Sequence, residues 1–217
     1  MARETGARNS LGWLLSTLGE TQLHLGELDA ARRTLEEGLA LVSAWGPVRL
    51  CPGFQHDLAW VAIAEGAWSE AQELLTTAID MAPATAPQFI PRLRIALAEA
   101  YLGAGGVAEA QAEAEKARLA AERKQQRSVE GRAWRLIAQC GTRSGDDIDV
   151  DAAFERSLEL LRAVRDDLEE ARTRAAWGKA LQLRRDPRAD HLLHLARETF
   201  KMCRANVDLW RLEATST

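Results

Sequence analysis

Cysteines, long apolar runs and β-branched residues are scarce in this chain of 217 residues, and each shortage argues against a class of protein. The three cysteines, Cys51, Cys140 and Cys203, lie too far apart for a disulfide framework, so we expect reduced thiols in a cytoplasmic protein. No apolar run approaches the roughly 18 residues of a membrane span, and the first residues lack the apolar core of a secretion signal. β-Branched residues are few, which favours helix over strand.

Charge of one sign is also lacking. The formal net charge of −4 does not by itself indicate a nucleic-acid or membrane partner, and we predict neither. Only 7 of the 28 basic residues lie in residues 1–108, so the second half of the chain is much richer in arginine. Acidic residues balance that excess, because 20 of the 32 carboxylates also lie there.

What the chain does contain is an internal repeat. Four glycines, Gly26, Gly66, Gly105 and Gly145, are separated by 40, 39 and 40 residues. Small or apolar residues keep the same offsets from each glycine in four columns: Gly19, Ala59, Ala98 and Ala138; Ala31, Ala71, Ala110 and Val150; Leu35, Leu75, Ala114 and Phe154; and Gly38, Ala78, Ala117 and Ser157. A fifth copy begins at Gly178, and "RRDP" (184–187) replaces its turn glycine. This regularity predicts stacked helical hairpins.

We place the hairpins from these glycines and from the proline-rich connections. The predicted helices span 8–25, 28–44, 54–65, 68–81, 88–103, 107–124, 128–143, 150–164, 167–184 and 188–204, followed by a short cap. The predicted fold is therefore all-α, with one array over residues 1–217. Its approximate repeats are 8–47, 48–87, 88–126, 127–166 and 167–205, and its cap is 206–214.

The repeat resembles the tetratricopeptide repeat (TPR). The fourth copy carries the resemblance in Trp134, Ile137, Ala138, Gly145 and Phe154, and the third in Leu97, Ala98, Tyr101, Gly105, Ala110 and Ala117. The period of about 40 residues exceeds the 34 of the standard motif. The resemblance implies a right-handed α-solenoid. Residues 169–213 also resemble, by composition, the closing repeat of arrays in large bacterial transcription regulators and signalling ATPases.

In that family the first helix of each hairpin lines a concave groove. The corresponding stripe of residues on each first helix gives these candidate ligand-binding residues: Trp13, His56, Trp60, Arg92, Arg132, Arg135, Arg143, Arg172 and Lys179. The first half of the stripe is aromatic and the second half cationic, which suits a ligand with an apolar anchor and an acidic segment. Alternatively, the arginines form a solvated face and pair with neighbouring Glu or Asp. Trp68, Trp134 and Trp177 fit packing positions better, and Trp45 and Trp210 fit either role.

Four possible chemical sites fail on inspection. "GAGG" (103–106) lacks the Lys-Ser/Thr of a phosphate loop, and His191, His194 and Glu198 lack a fourth metal ligand. Cys51 with His56 has nothing to orient a base, and "DDIDVD" (146–151) lacks the glycine and glutamate of a calcium loop. We expect Asp149 or Asp151 to cap the next helix instead, and Cys140 to be buried.

The sequence therefore predicts a non-catalytic, regulatory scaffold that binds a protein or a peptide and uses no cofactor or metal. The alternative is a ligand-sensing segment of a larger bacterial transcription regulator or signalling ATPase. An exposed apolar end of the array could also stack on a second copy of the chain.

Overall fold

The computed structural model describes residues 2–45, 48–145 and 149–214, with the side chains of residues 2–8 and 45 outside this description. The side chain of Trp45 and the first half of the acidic loop at 146–151 therefore lie outside the described part of the chain. All regular structure in the described part is helical: α1 (Ala2–Leu25), α2 (Leu28–Trp45), α3 (Cys51–Glu65), α4 (Trp68–Thr85), α5 (Ile90–Gly103), α6 (Val107–Arg123), α7 (Arg127–Ser144), α8 (Val150–Ala163), α9 (Asp167–Leu183), α10 (Arg188–Met202) and α11 (Asn206–Glu213). Short 3-10 turns at Val48–Leu50 and Pro87–Phe89 precede α3 and α5.

The predicted all-α architecture of consecutive helical hairpins is confirmed. Most predicted helix ends lie within four residues of the observed ends, although α1 begins six residues earlier than predicted. The chain divides into two compact units, Met1–Ala104 and Gly105–Thr217. The prediction of one continuous array stays a prediction.

In the first unit, α1 pairs with α2 and α3 pairs with α4, and α5 packs on α4. One core cluster joins Leu35 and Val42 of α2 to Phe54 and Leu58 of α3. A second joins Leu75 and Ala78 of α4 to Leu93 and Ala96 of α5. Leu74 of α4 packs against both clusters and so connects them.

In the second unit, α7 pairs with α8 and α9 pairs with α10, while α6 packs on α7 and α11 on α10. Phe154 and Trp177 stack with ring centroids 5.9 Å apart and form the centre of one cluster. Ala171, Ala196 and Phe200 form another with Leu212 of α11. The short last helix thus covers an apolar face of α10.

The repeated small residues are buried because they lie where helices approach closely. Members of the column Leu35, Leu75, Ala114 and Phe154 are fully buried, as are Ala78, Ala117 and Ser157. A Cβ atom added to Gly38 would overlap the ring of Phe54. The residues that recur every 40 positions are therefore those at which neighbouring helices contact each other.

The hairpin turns depend on left-handed backbone. Gly26, Gly66, Gly105 and Gly145 all have positive φ, from 71° to 89°. Glycine adopts this conformation without the steric cost that a Cβ imposes. In the fifth copy Arg185 takes this place with φ of 56°, so the turn forms without glycine.

Candidate functional site

A cleft of about 110 Å³ opens in the first unit between α1, α3 and α5. The stripe on the first helices supplies much of its wall, with these residues: Trp13, Ser16, Glu20, Gly53, His56 and Arg92. The structure thus brings together three of the predicted binding residues, Trp13, His56 and Arg92. Their roles in binding stay a prediction.

A buried chain of hydrogen bonds forms one side of the cleft. Trp60 Nε1 donates to His56 Nε2 (3.1 Å), and His56 Nδ1 lies 2.8 Å from Asp57 Oδ1. Because Nε2 accepts from Trp60, the Nδ1–H group of the imidazole donates a hydrogen bond to Asp57. Ser16 Oγ donates to the other carboxylate oxygen at 3.4 Å. Trp60 does not line the cleft, but its hydrogen bond holds His56 in one orientation.

The mouth of the cleft combines cations with aromatic rings. The Arg92 guanidinium lies 5.9 Å from the centroid of the Phe89 ring, and the side chain of Trp13 is 50% exposed. Arg49, from the 3-10 turn before α3, is exposed at the same cleft. Within the described residues, neither Arg49 nor Arg92 forms an ion pair with a carboxylate. Two guanidinium groups are therefore available to an anionic ligand, beside the cleft's own Glu20 and Asp57.

In the described part of the chain, three arginines of the predicted cationic half, unlike Arg49 and Arg92, are paired with carboxylates of the chain itself. Arg132, Arg135 and Arg172 converge on one buried carboxylate, Glu169, at 3.5, 2.6 and 2.7 Å. Arg172 also binds Asp208 of α11 through two hydrogen bonds of 2.9 and 2.8 Å. These pairs lie in the interior of the second unit, between α7 and α9, and not on the solvated face that the alternative described. A ligand role for them stays a prediction.

Two members of the cluster, Glu169 and Arg172, have shifted pKa values. Burial alone would raise the pKa of the Glu169 carboxyl, but Arg132, Arg135 and Arg172 hold it well below its ordinary value. Burial alone would lower the pKa of Arg172, but Glu169 and Asp208 raise it. The cluster is therefore ionised at neutral pH, and its charges stabilise one another.

The two remaining predicted cations lie apart from this cluster. Lys179 Nζ donates to the backbone carbonyl of Arg211 at 2.9 Å, and burial followed by the charge of Arg211 lowers the pKa of Lys179. Arg143 is exposed near the end of α7. Neither the contact of Lys179 nor the exposure of Arg143 identifies a ligand site.

The tryptophans predicted to pack do so. Trp177 is 8% exposed and donates from Nε1 to Asp151 Oδ1 at 3.0 Å. Trp68 lies over Gly103, and Trp134 lies under the guanidinium of Arg118, 5.2 Å from its ring centroid. Trp210, left open by the sequence, is 55% exposed.

The possible chemical sites resolve as ordinary structure. Asp149 caps α8 by accepting from the amide of Ala152 (3.0 Å), as predicted. Cys140 is buried as predicted, and Cys51 is buried with its sulfur 3.7 Å from Ser43 Oγ. His191 and His194 are exposed on α10, where Glu198 binds Lys201. No group of three His, Cys, Asp or Glu that could hold a metal occurs among the residues with a described placement.

Sequence reasoning missed several cleft residues that do not belong to the helical stripe. Arg49 and Phe89 come from the 3-10 turns, which the proline content indicated only as connections. Asp57 follows His56 directly in the sequence. That adjacent pair was the one signal that could have pointed to a fixed imidazole.

The sequence pattern of the tetratricopeptide repeat matches residues 12–37 and 91–116. Among solved structures, the chain is similar to a Podosopora anserina protein with nearly identical TPR-like repeats, described as a kinesin light chain (22% identity, 87% of this chain and 94% of that chain, TM-score 0.57). It is also similar to a Rap protein complexed with Competence and Sporulation Factor (13%, 96% and 63%, TM-score 0.69). A third similar structure is aspartyl phosphate phosphatase F from Bacillus subtilis (14%, 95% and 56%, TM-score 0.64).

At these identities the likeness establishes a TPR-like fold and no more. The chain spans less than two thirds of the length of the Rap protein and of phosphatase F. No curated protein matches the sequence. No helix in the described ranges is both long and apolar enough to cross a membrane. The predicted cytoplasmic location and the predicted link to large bacterial ATPases stay predictions.

Proposed function

We propose that this chain is a non-catalytic scaffold that binds a peptide or protein segment in the cleft between α1, α3 and α5. The bound segment presents an aromatic or large apolar side chain to Trp13 and Phe89. A neighbouring carboxylate of the ligand binds Arg92 and Arg49. The proposal moves the acidic part of the predicted ligand from the arginines of the second unit to those of the first.

One observation carries this proposal: cations without a carboxylate partner lie beside an exposed aromatic side chain in a concave site. Within the described residues, Arg92 contacts a ring and no carboxylate, whereas Arg135 is 3% exposed and bound to Glu169. Guanidinium groups bind carboxylates through two parallel hydrogen bonds when both partners can reach each other. Exposed tryptophan at a cleft is typical of binding sites for apolar side chains.

The similar structures support a binding role. The Rap protein is a TPR-like chain solved with a factor bound to it. In repeat folds of this kind, several repeats contribute helix faces to one concave binding surface. A regulatory role would follow if occupation of the cleft changed how the chain contacts another protein.

Binding of defined peptides tests the proposal. Short synthetic peptides with Trp, Phe or Leu next to Asp or Glu are measured by fluorescence anisotropy against sequences in which Lys replaces the acidic residues. We expect acidic members to bind and basic members to fail. Arg92→Glu should weaken binding about tenfold or more, because a charge-assisted pair is replaced by a repulsion.

Arg33→Glu is the matched control, since Arg33 is exposed on α2 of the same unit and lies outside the cleft. It changes the net charge equally and should leave the affinity unchanged. Equal losses in the two variants, or equal binding of acidic and basic peptides, would refute an anion site at Arg92.

A further inference from the structure

Gly53 is a helical glycine that no packing contact requires. It lies in the first turn of α3, and a Cβ atom added to it would have no atom within 4 Å. At each of the other helical glycines with described neighbours, a side chain lies 3.0 Å or less from an added Cβ: Gly12, Gly19, Gly38, Gly103, Gly131 and Gly178. Glycine weakens a helix relative to alanine. The empty space over Gly53 therefore calls for an explanation other than helix packing.

The repeat carries a large side chain at this position in every other copy. Thirteen residues before the turn residue of each hairpin stand Trp13, Gly53, Arg92, Arg132 and Arg172. Only the second copy therefore has no side chain at this position of its first helix.

The missing side chain lies between two residues of the cleft. Consecutive helices of a hairpin are antiparallel, so α1, α3 and α5 run in the same direction, and α3 contacts both α1 and α5. Trp13 of α1, Gly53 of α3 and Arg92 of α5 all line the cleft. The cleft therefore opens over Gly53, with an indole on the neighbouring helix to one side and a guanidinium group on the neighbouring helix to the other.

We propose that Gly53 selects the anchor of the bound segment, and that an aromatic side chain of the ligand occupies the space over Gly53 between Trp13 and Arg92. This inference rests on the proposed function of the cleft and narrows its apolar anchor to an aromatic one. A ring packs on the indole and also forms a cation–π contact with the guanidinium, whereas an aliphatic side chain gains burial alone. Arg92 already makes such a contact with Phe89. Its N–H edge stays available to a carboxylate, because the ring meets the face of the guanidinium plane.

Labelled peptides that place Trp, Phe, Leu or Ala before two aspartates test the selection by fluorescence anisotropy. The wild type should bind the Trp and Phe peptides about tenfold more tightly than the Ala peptide, with the Leu peptide between them. Gly53→Val places a branched side chain in the space of the anchor. It should lower the affinity for the Phe peptide about tenfold and leave the affinity for the Ala peptide within about twofold.

Ser69→Val is the matched control, since Ser69 is exposed on α4 of the same unit and lies outside the cleft. It adds an apolar side chain to a helix and should leave both affinities unchanged. Gly53→Ala adds a single methyl group, for which the folded chain has room. It should show a smaller loss for the Phe peptide, and it carries the test if Gly53→Val does not fold.

The outcomes separate this inference from the function of the cleft. Suppose that the wild type binds the acidic peptides and that Arg92→Glu weakens them. Unchanged binding of the Phe peptide by Gly53→Val and Gly53→Ala would then overturn the role of Gly53 and leave the cleft function standing. Equal losses for the Phe and Ala peptides, or wild-type binding of Leu as tight as that of Phe, would also overturn it. A wild type that binds none of the peptides would overturn both.

Discussion

At the scale of single residues, Glu169 is a buried carboxylate that contacts three arginines. Its carboxylate is buried and is bound by side chains from its own helix α9 and from α7. Breaking a buried ion pair costs more than the pair contributes, because the remaining charges lose both water and partner. Glu169 is therefore the anion that Arg132, Arg135 and Arg172 share, although Arg172 also binds Asp208.

We expect Glu169→Gln to lower the free energy of unfolding by about 3–5 kcal/mol. The neutral amide keeps the shape of the side chain but leaves Arg132, Arg135 and Arg172 without their shared counter-charge. Urea unfolding followed by circular dichroism measures the loss. Glu159→Gln serves as control, since Glu159 is 67% exposed and pairs only with Arg156 among the partners described. Equal stability of the two variants would show that the cluster contributes nothing.

The same carboxylate predicts a dependence of stability on pH. The folded-state pKa of Glu169 is depressed below the ordinary value of 4.5. Its contribution is therefore fully present above about pH 5 and is lost as the pH falls through the folded pKa. Unfolding curves of wild type and Glu169→Gln should differ at pH 7 and converge on acidification. A constant difference down to pH 3 would contradict the assignment.

At the scale of elements, the two helical glycines Gly38 and Gly53 differ in whether the neighbouring helix leaves room for a Cβ atom. Gly38 of α2 faces the buried ring of Phe54, whereas Gly53 of α3 has no atom within 4 Å of an added Cβ. Both glycines lie inside helices, where glycine costs about 1 kcal/mol relative to alanine. Packing should therefore decide the sign of each substitution.

We expect Gly53→Ala to raise the melting temperature and Gly38→Ala to lower it. The first gains helix propensity alone, worth about 1 kcal/mol at most. The second gains the same propensity but forces Phe54 from its place, at a cost of about 1–3 kcal/mol. Thermal denaturation of the two variants in parallel measures both signs. Stabilisation by Gly38→Ala would show that α2 and α3 pack less tightly than the structure indicates.

At the scale of the whole molecule, the chain consists of two units with separate core clusters. Repeat proteins gain stability from contacts between neighbouring elements, so a local defect lowers local stability first. Hydrogen exchange of Glu169→Gln should therefore speed up in α7, α9 and α11, while amides of α3 keep most of their protection. An equal loss of protection in both units would indicate a single cooperative unit.

Helix order and hairpin pairing follow from the linear chain because small residues recur every 40 positions and left-handed turns favour glycine. The repeat positions of Leu35, Gly38 and Gly66 therefore predict their roles: Leu35 and Gly38 pack between helices, and Gly66 forms a left-handed turn. The partners of the arginines were not, because Arg135 and Glu169 are 34 residues apart and nothing in their spacing distinguishes an internal pair from a ligand site. The cleft likewise depends on Arg49 and Phe89, which come from irregular turns without a periodic signal. Packing of non-neighbouring segments, which the sequence does not display, decides which charges are neutralised and which remain available at a surface.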